Sequence, residues 1–325
     1  MILVTGGTGF LGSTLLQYLI EGGKSVVALK RETSTIPSHL KSSSLIQWVD
    51  ADVTDYFALA EILPKVKQVY HCAAKVSYHP TDAQELFQTN VLGTRYLVNL
   101  CLRHGVRLLH VSSIAALGMS KRGKPVNESD LWEKHAKTSN YSLTKYEAEM
   151  EVWRGIAEGL DAVIVNPSLI MGVGWGEKGS RVIFDMVHRG NRIYPLGSVG
   201  VVDVEDVARI MIRLMNHPVK GERFVLNAEN ISNQALLTRI SQLMNKPAPR
   251  IKATPVLMSI AWRMARLASL FSRKPPALTA ETARAANRKL EYDNAKIKST
   301  LAYAFKPLDQ TLKEVYEAYY SRKTI

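Results

Sequence analysis

The chain has 325 residues, of which 46% are hydrophobic and 22% charged, and its formal net charge is +13. This composition excludes a disordered or fibrous chain and is typical of one large globular domain with a smaller lobe. No uninterrupted apolar stretch reaches membrane-spanning length, and a first strand predicted from Ile2 leaves no room for a signal peptide, so we expect a cytoplasmic protein. Two cysteines, Cys72 and Cys101, are too few for a disulfide framework.

Strand and helix patterns alternate through the first 170 residues. The predicted strands are Ile2-Val4, Ser25-Leu29, Leu45-Val49, Gln68-His71, Leu108-Ser112 and Ala162-Asn166. The predicted helices are Leu11-Glu21, Tyr56-Leu63, Glu85-Gly105 and Ser142-Gly159. This alternation predicts an α/β fold, a doubly wound parallel sheet with helices on both faces. Such a sheet binds ligands beyond the carboxyl ends of its strands.

The first turn has the sequence TGGTGFLG, from Thr5 to Gly12. Gly6 permits a tight turn, Gly9 lets a pyrophosphate approach the backbone, and Gly12 lets the helix pack close to the strand. The free N–H groups and the positive end of the helix dipole then face the anion. We therefore predict a Rossmann dinucleotide site, with a purely structural turn as the alternative. The residues expected at this part of the cofactor are Gly6, Thr8, Gly9, Phe10, Leu11 and Gly12.

The second predicted strand runs into Lys30 and Arg31. An acidic residue at this point would bind the adenosine ribose, whereas a basic residue accommodates a 2′-phosphate. Two adjacent cations favour NADP(H), although NAD(H) is also possible. The alternative is a solvated basic loop.

A Tyr/Lys pair, Tyr141 and Lys145, lies four residues apart on one face of a predicted helix. An isolated tyrosine titrates near pH 10, and a neighbouring ammonium group lowers that pKa toward the range of acid–base catalysis. Ser113 follows the strand Leu108-Ser112, where its hydroxyl can bind the same substrate oxygen. We predict that Ser113, Tyr141 and Lys145 are catalytic and that Ser112 faces the cofactor or the backbone.

With these motifs in chain order, the sequence resembles the extended short-chain dehydrogenase/reductase family. TGGTGFLG is similar to the family's TGxxGxxG, the stretch from Val69 to Ala74 to its HxAA motif, and the stretch from Asn90 to Thr94 to NVxGT. The stretch from Val202 to Val207 is similar to the family's late VxDV segment. The resemblance implies further cofactor contacts at Asp52, Val53, Cys72, Ala73, Ala74, Lys75, Asn90, Ser112, Tyr141, Lys145, Pro167 and Ser168.

Three departures from the family pattern bear on the substrate. Asn166 stands where sugar-nucleotide epimerases usually carry Arg, and the stretch from Gly197 to Val201 has no cation to hold a nucleotide phosphate. Ile114 and Ala115 follow Ser113, where dehydratases need an acidic pair. The segment Asn166-Pro167-Ser168 and the basic strand end are more similar to the dihydroflavonol reductase and 3β-hydroxysteroid dehydrogenase branch.

We therefore expect an NADP(H)-dependent oxidoreductase acting on a ketone or secondary alcohol of a small, apolar substrate. One alternative is a nucleotide-sugar epimerase with tightly bound NAD(P). A second is a non-catalytic NADP(H)-sensing protein, which would need no proton donor. The histidines show no metal-ligand spacing, so we assign no metal, and by family resemblance we expect a homodimer.

Beyond Asn166 the patterns become less regular. We predict loops from Gly172 to Gly200 around a helix at Arg181-Arg189. Helices at Val207-Asn216 and Leu236-Met244, a strand at Arg223-Asn227 and a mostly helical tail broken at Lys274-Pro275-Pro276 are predicted to follow. We assign 1–166 to an NADP-binding Rossmann domain to which 201–230 return, and 167–200 and 231–325 to a smaller, mostly helical substrate lobe.

The basic excess is concentrated at the C-terminus, because residues 246–325 hold 16 Lys/Arg and 6 Asp/Glu, which is +10 of the +13. No nucleic-acid-binding motif accompanies this charge, and we expect no nucleic-acid partner. The apolar segment Pro255-Lys274 carries several of the cations. It has two interpretations. One is a lid over a bulky apolar or lipid-like substrate that touches a membrane surface, and the other, which we favour, is a core helix with a basic outer edge.

Overall fold

The fold is a computed structural model that describes residues 1–120, 123–134, 138–175, 180–254, 256–260, 262–264 and 287–321. Its strands are β1 (Ile2–Thr5), β2 (Val26–Lys30), β3 (Ile46–Asp50), β4 (Gln68–His71), β5 (Arg107–Val111), β6 (Ala162–Pro167), β7 (Leu169–Met171), β8 (Ile193–Pro195), β9 (Ser198–Asp203), β10 (Glu222–Leu226), β11 (Glu229–Ser232) and β12 (Ile251–Ala253). Its helices are α1 (Phe10–Glu21), α2 (Tyr56–Ile62), α3 (Ala83–Leu86), α4 (Gly93–His104), α5 (Asn140–Ala157), α6 (Ser180–His188), α7 (Val204–Met215), α8 (Asn233–Leu243), α9 (Ala295–Leu301) and α10 (Leu308–Tyr319).

Seven parallel strands form the large sheet in the order β10-β6-β5-β4-β1-β2-β3. The order reverses between β1 and β4, where Thr5 pairs in register with His71. A crevice beyond the strand ends at such a reversal is where doubly wound sheets bind their ligands. The predicted doubly wound sheet is confirmed.

Apolar side chains cover both faces of this sheet. On one face α1 and α7 pack together, with Leu15, Leu16 and Leu214 fully buried. On the other face α2, α4 and α5 bury residues such as Leu59, Leu97 and Val152. Two-sided burial explains why the central strands read as continuous apolar runs rather than as alternating patterns.

The segment predicted as one helix from Glu85 to Gly105 has a π-helical turn at Phe87–Leu92 between α3 and α4. A π turn inserts an extra residue into the helical ladder, and such turns occur frequently at functional sites. Here it places Asn90, which is buried, against the loop after β4 and against α5.

The prediction that the segment from Gly172 to Gly200 forms loops around one helix is wrong near its end, because β8 and the beginning of β9 lie there. β9 pairs with β7 and β11 in a three-stranded sheet, and β8 pairs with β12. These strands are short, and their partners are distant in sequence, so local composition does not reveal them. The break at Lys274-Pro275-Pro276 lies outside the described residues.

The segment after β12 also differs from the favoured prediction of a core helix. The backbone is helical at 256–260 and 262–264, but Val256, Ile260 and Met264 are exposed. Residues 255, 261 and 265–274 of the predicted segment lie outside the part described. Within the described ranges, no helix combines the length and apolar character needed to cross a bilayer.

Candidate active site

The turn between β1 and α1 depends on three glycines for different reasons. Gly6 has φ +70°, and a Cβ on it would lie 2.7 Å from the backbone nitrogen of Ala73. A Cβ on Gly12 would lie 2.1 Å from the carbonyl oxygen of Gly6, so this glycine lets α1 begin directly against the turn. Gly9 is different, because a Cβ there would approach only the Gly6 oxygen, at 3.2 Å. Packing within the protein therefore gives little reason for a glycine at position 9. A ligand that approaches this backbone from outside would give one.

The first turn of α1 presents unused hydrogen-bond donors at the same place. Gly9 supplies no side-chain cap, and the first turn contains no acidic residue. Within the part of the chain that is described, the N–H groups of Phe10, Leu11 and Gly12 have no acceptor. Helix N-termini of this kind bind phosphate through N–H groups and the helix dipole. These residues therefore fit the pyrophosphate of a dinucleotide.

The two cations after β2 have different surroundings. The Lys30 ammonium forms an ion pair with Asp50 at the end of β3, and the Lys30 side chain is mostly buried. Arg31 is exposed, and its guanidinium has no ion-pair partner among the described residues. Arg31 is therefore the freer of the two predicted cofactor cations.

The predicted cofactor contacts Asp52 and Val53 follow β3, beside the end of β2. Asp52 accepts hydrogen bonds from the backbone and side chain of Thr54, at 2.9 and 2.7 Å. Val53 is buried against Gly93 at the beginning of α4, where a Cβ would come within 2.8 Å of it. This contact explains why a glycine follows the π turn.

Asn90 holds the loop after β4 in place. Its side-chain oxygen accepts from the Lys75 N–H at 2.8 Å, and its amide nitrogen donates to the Lys75 carbonyl at 3.1 Å and to Thr144 on α5 at 3.1 Å. The segment Cys72-Ala73-Ala74-Lys75 is thereby fixed between the glycine turn and α5. The Lys75 ammonium itself is paired with Asp82 and Glu85.

Ser113 and Tyr141 meet where β5 ends and α5 begins. Ser139 caps α5 by accepting from the Ser142 N–H at 2.8 Å, so Tyr141 lies in the first turn. The Ser113 hydroxyl accepts from the Ala115 N–H at 3.1 Å. Burial raises the pKa of Tyr141 above its usual value, and the nearby Ser113 hydroxyl offsets this only in part. The expected lowering of this pKa is absent, and at neutral pH the phenol carries its proton.

Lys145 is buried one helical turn after Tyr141. Its ammonium donates to the Val111 carbonyl at 2.8 Å. Burial lowers the pKa of Lys145 to about 8, and the nearby Glu149 carboxylate and Cys72 act in the opposite direction. The lysine is thus held at the strand end by a neutral acceptor rather than by a direct ion pair.

Behind Lys145 lies a buried carboxylate, Glu149, that the sequence analysis did not single out. Its Oε2 accepts from the Ser112 hydroxyl at 2.6 Å and from the Asn166 amide at 2.8 Å. Its Oε1 accepts from Arg223 at 2.9 Å and from Trp153 at 3.2 Å. One fully buried side chain thus ties α5 to β5, β6 and β10. The four-residue spacing after Lys145 is the sequence signal that could have revealed it.

A family model, NAD dependent epimerase/dehydratase, matches residues 2–227. The chain belongs to the NAD-dependent epimerase/dehydratase family. It is thus an NAD(P)-dependent enzyme of the extended short-chain dehydrogenase/reductase type, as the sequence predicts, and an oxidoreductase.

Individual relatives cover most of the enzyme. It is 33% identical over 260 residues to sterol demethylase protein B of Methylococcus capsulatus, covering 79% of this chain and 78% of that protein. It is 30% identical over 321 residues to a predicted dihydroflavonol 4-reductase of Synechocystis sp., covering 96% and 92%. The crystal structure of gox2253 superposes with a TM-score of 0.81 at 29% identity, over 98% of this chain and 97% of that one.

In this enzyme Asn166, which stands where epimerases usually carry arginine, is buried. Asn166 has no exposed surface, and its amide donates to the Ser113 carbonyl at 3.0 Å as well as to Glu149. It therefore supports the backbone of Ser113 instead of facing a substrate. Next to it, Pro167 ends β6, and the buried Ser168 hydroxyl has no hydrogen-bond partner among the residues that the structure describes. An orphaned hydroxyl at this strand end is consistent with the predicted cofactor contact.

A second residue missed by the sequence analysis is Tyr78, which lies in the loop after β4. Its ring packs edge-on against that of Tyr141, with the centroids 5.6 Å apart, and 39% of Tyr78 is exposed. The enzyme therefore places a second aromatic ring beside that of Tyr141. No pattern in the sequence links residues 78 and 141, since only the fold brings their loops together.

Proposed function

We propose that the protein is an NADP(H)-dependent oxidoreductase that reduces a ketone, or oxidises a secondary alcohol, on a small apolar substrate. The observation that supports this most directly is the proximity of the Ser113 hydroxyl to the buried Tyr141 hydroxyl, whose pKa is raised so that it is protonated at neutral pH. Two adjacent hydroxyls are suited to hold one carbonyl oxygen, and a protonated phenol is suited to donate to it.

When bound, the cofactor supplies the hydride in reduction or accepts it in oxidation. In reduction, the Ser113 hydroxyl orients the carbonyl oxygen, and the Tyr141 hydroxyl donates its proton to that oxygen as negative charge develops there. The Lys145 ammonium, one turn along α5, favours the resulting phenolate electrostatically. In oxidation the same groups act in reverse, with Tyr141 taking the proton of the alcohol.

The substrate class is proposed from the surroundings of Tyr141. Tyr78 offers an aromatic face, and no acidic residue follows Ser113, since Ile114 and Ala115 form the next turn. A dehydratase would need an acid and a base here. A small ketone with an apolar or aromatic substituent satisfies both observations.

The test is consumption of NADPH with a panel of aliphatic, alicyclic and aromatic ketones, using NADPH deuterated at the transferred position. The proposal expects deuterium at the carbinol carbon of the product. An epimerase would instead retain its cofactor through purification and cause no net oxidation of added NADPH. A sensor would bind NADPH without turning over any carbonyl. Either result would contradict the proposal.

A further inference from the structure

The substrate lobe exposes a group of apolar side chains along one edge, which we call the lobe edge. Its apolar members are Ile193, Ile251, Val256, Leu257, Ile260 and Met264, which are 38–71% exposed. Scattered exposed apolar residues are ordinary, but a contiguous set marks a surface that contacts something other than water.

Ile193 and Ile251 are register partners in the parallel pair β8 and β12, so their side chains point to the same face of that sheet. The other face carries Tyr194, which is buried in the lobe core. β12 ends at Ala253, and helical backbone follows at once, because Thr254 accepts the N–H of Met258 at 2.9 Å. The paired isoleucines and the helical segment are therefore neighbours.

Val256 and Ile260 lie four residues apart in the helical backbone at 256–260 and therefore on the same side of it, and Met264 in the helical backbone at 262–264 is exposed as well. Met258 lies on the opposite side of the first stretch and is half-buried, as is Trp262. An amphipathic helix of a globular protein normally packs its apolar stripe inward. Here the stripe faces outward.

Six exposed cations lie close in sequence to these apolar residues. They are Arg189, Arg192, Lys246, Arg250, Lys252 and Arg263. Arg192 and Arg250 are adjacent across the two strands, because the Arg192 carbonyl accepts the Arg250 N–H at 2.9 Å. The sequence from 230 to 264 contains no Asp or Glu. Over the described ranges none of the six cations forms an ion pair with an acidic side chain.

We propose that the lobe edge docks on an anionic lipid bilayer, with the apolar stripe in the headgroup region and the six cations on lipid phosphates. An interfacial helix needs both an apolar face and flanking cations, and each cation near an anionic surface contributes electrostatic attraction. A nucleic acid would use the cations but would leave the six apolar side chains in water. The proposed occupant is therefore a membrane surface.

The test is co-sedimentation of the full-length protein with vesicles of phosphatidylcholine alone and of phosphatidylcholine mixed with phosphatidylglycerol. We expect binding to the mixed vesicles at low salt, weakened by added salt, and little binding to phosphatidylcholine. Arg250→Gln/Lys252→Gln should weaken the partition about 25-fold, since each neutralised cation accounts for about five-fold. The matched control, Lys24→Gln/Arg103→Gln, removes two exposed cations elsewhere and should change it little.

The apolar contribution is tested with Val256→Glu/Ile260→Glu, which should abolish binding and leave the circular dichroism spectrum unchanged. The control is Phe57→Glu, because Phe57 is 81% exposed but lies on α2. Absence of wild-type binding to the mixed vesicles, or equal loss in the two apolar variants, would overturn the proposal. Conversion of a dimer to a monomer by Val256→Glu/Ile260→Glu would overturn it too, since the lobe edge would then be a contact between two copies. A third pair of results would also overturn the proposal. In it, the protein binds DNA in a salt-sensitive way, and Val256→Glu/Ile260→Glu still binds the vesicles as well as the wild type does.

Discussion

The Ser112 hydroxyl donates a 2.6 Å hydrogen bond to Glu149, a carboxylate with no exposed surface. Ser112 immediately precedes Ser113, and Glu149 follows Lys145 by one helical turn. The bond thus joins the strand end that carries the serine to the helix that carries Tyr141 and Lys145. Arg223 on β10 supplies the opposite charge at 2.9 Å. The geometry of the candidate site therefore rests on a buried polar network behind it.

Replacement of Glu149 by Gln should destabilise the protein by about 3–5 kcal/mol, because a buried ion pair loses one partner and Arg223 stays buried. Equilibrium unfolding in urea measures this. Since Glu149 raises the pKa of Lys145, its neutralisation should also move any alkaline limb of kcat/KM below the pH of about 8 expected from Lys145. Glu158→Gln, at an exposed position at the end of the same helix, is the control and should cost less than about 1 kcal/mol. Equal stability losses in the two variants would contradict the network's role.

Tyr141→Phe should lower kcat by about 10²–10⁴-fold, because the proton donor is removed while the ring and its contact with Tyr78 remain. The dissociation constant of NADPH, followed by fluorescence, should stay within about three-fold of the wild-type value, since the ring is retained. Tyr96→Phe is a matched control, because Tyr96 on α4 packs edge-on against Tyr56 on α2, as Tyr141 packs against Tyr78. Wild-type turnover by Tyr141→Phe would rule out the proposed mechanism.

Two glycine variants should separate folding from cofactor binding. Gly12→Ala forces a Cβ to 2.1 Å from the Gly6 carbonyl, so we expect a strong loss of stability in thermal unfolding. Gly9→Ala meets only that oxygen at 3.2 Å and should fold nearly normally, yet bind NADPH at least about ten-fold more weakly, since the methyl group occupies the path of the pyrophosphate. Normal NADPH affinity in Gly9→Ala would place the pyrophosphate elsewhere.

Cofactor preference should depend on Arg31 more than on Lys30. Arg31→Ser removes an unpaired cation, and we expect the Kd of NADPH to rise about ten-fold or more while that of NADH changes little. Lys30→Ser should have a smaller effect on NADPH, because the Lys30 ammonium is already paired with Asp50. Titration of both nucleotides against both variants measures this. A parallel loss of NADPH and NADH affinity would show that Arg31 does not contact a 2′-phosphate.

Two buried histidines should make the protein sensitive to mild acid. His71 hydrogen-bonds Thr5 and Thr94, whereas the fully buried His110 beside it has no partner for either ring nitrogen in the described structure. Burial lowers the pKa of His71 to about 3 and that of His110 well below its usual value, and the Lys145 charge adds to both shifts. Below pH 6.5 the unfolded chain therefore binds two protons that the folded protein does not.

The free energy of unfolding should consequently fall with falling pH below about 6.5, with a slope approaching 2.7 kcal/mol per pH unit from this pair. His110→Leu replaces the unpartnered ring by an apolar side chain of similar size and should roughly halve that slope. Urea titrations between pH 5.5 and 7 provide the measurement. An unchanged slope in His110→Leu would mean that His110 is protonated in the folded state.

Sequence periodicity was sufficient for the large sheet because its central strands are buried apolar runs, each followed by a helix or turn signal. It failed for β8 and β9, whose pairing comes from residues tens of positions away. It also failed at the helical backbone after β12, because an apolar stripe has the same pattern whether it faces the core or the solvent. Glu149 illustrates the same limit, since a glutamate on a helix is usually a surface residue.

By itself, the sequence determined the glycine turn, the strand–helix alternation and the order of Ser113, Tyr141 and Lys145, because these depend on local backbone geometry and short spacings. Only the tertiary structure decided that Tyr78 lies against Tyr141, that Lys30 is paired with Asp50 whereas Arg31 has no ion-pair partner among the described residues, and that Ser113 is supported by Asn166. Each of these contacts joins segments that are separate in the sequence. Its energy depends on burial and distance, which a linear pattern does not encode.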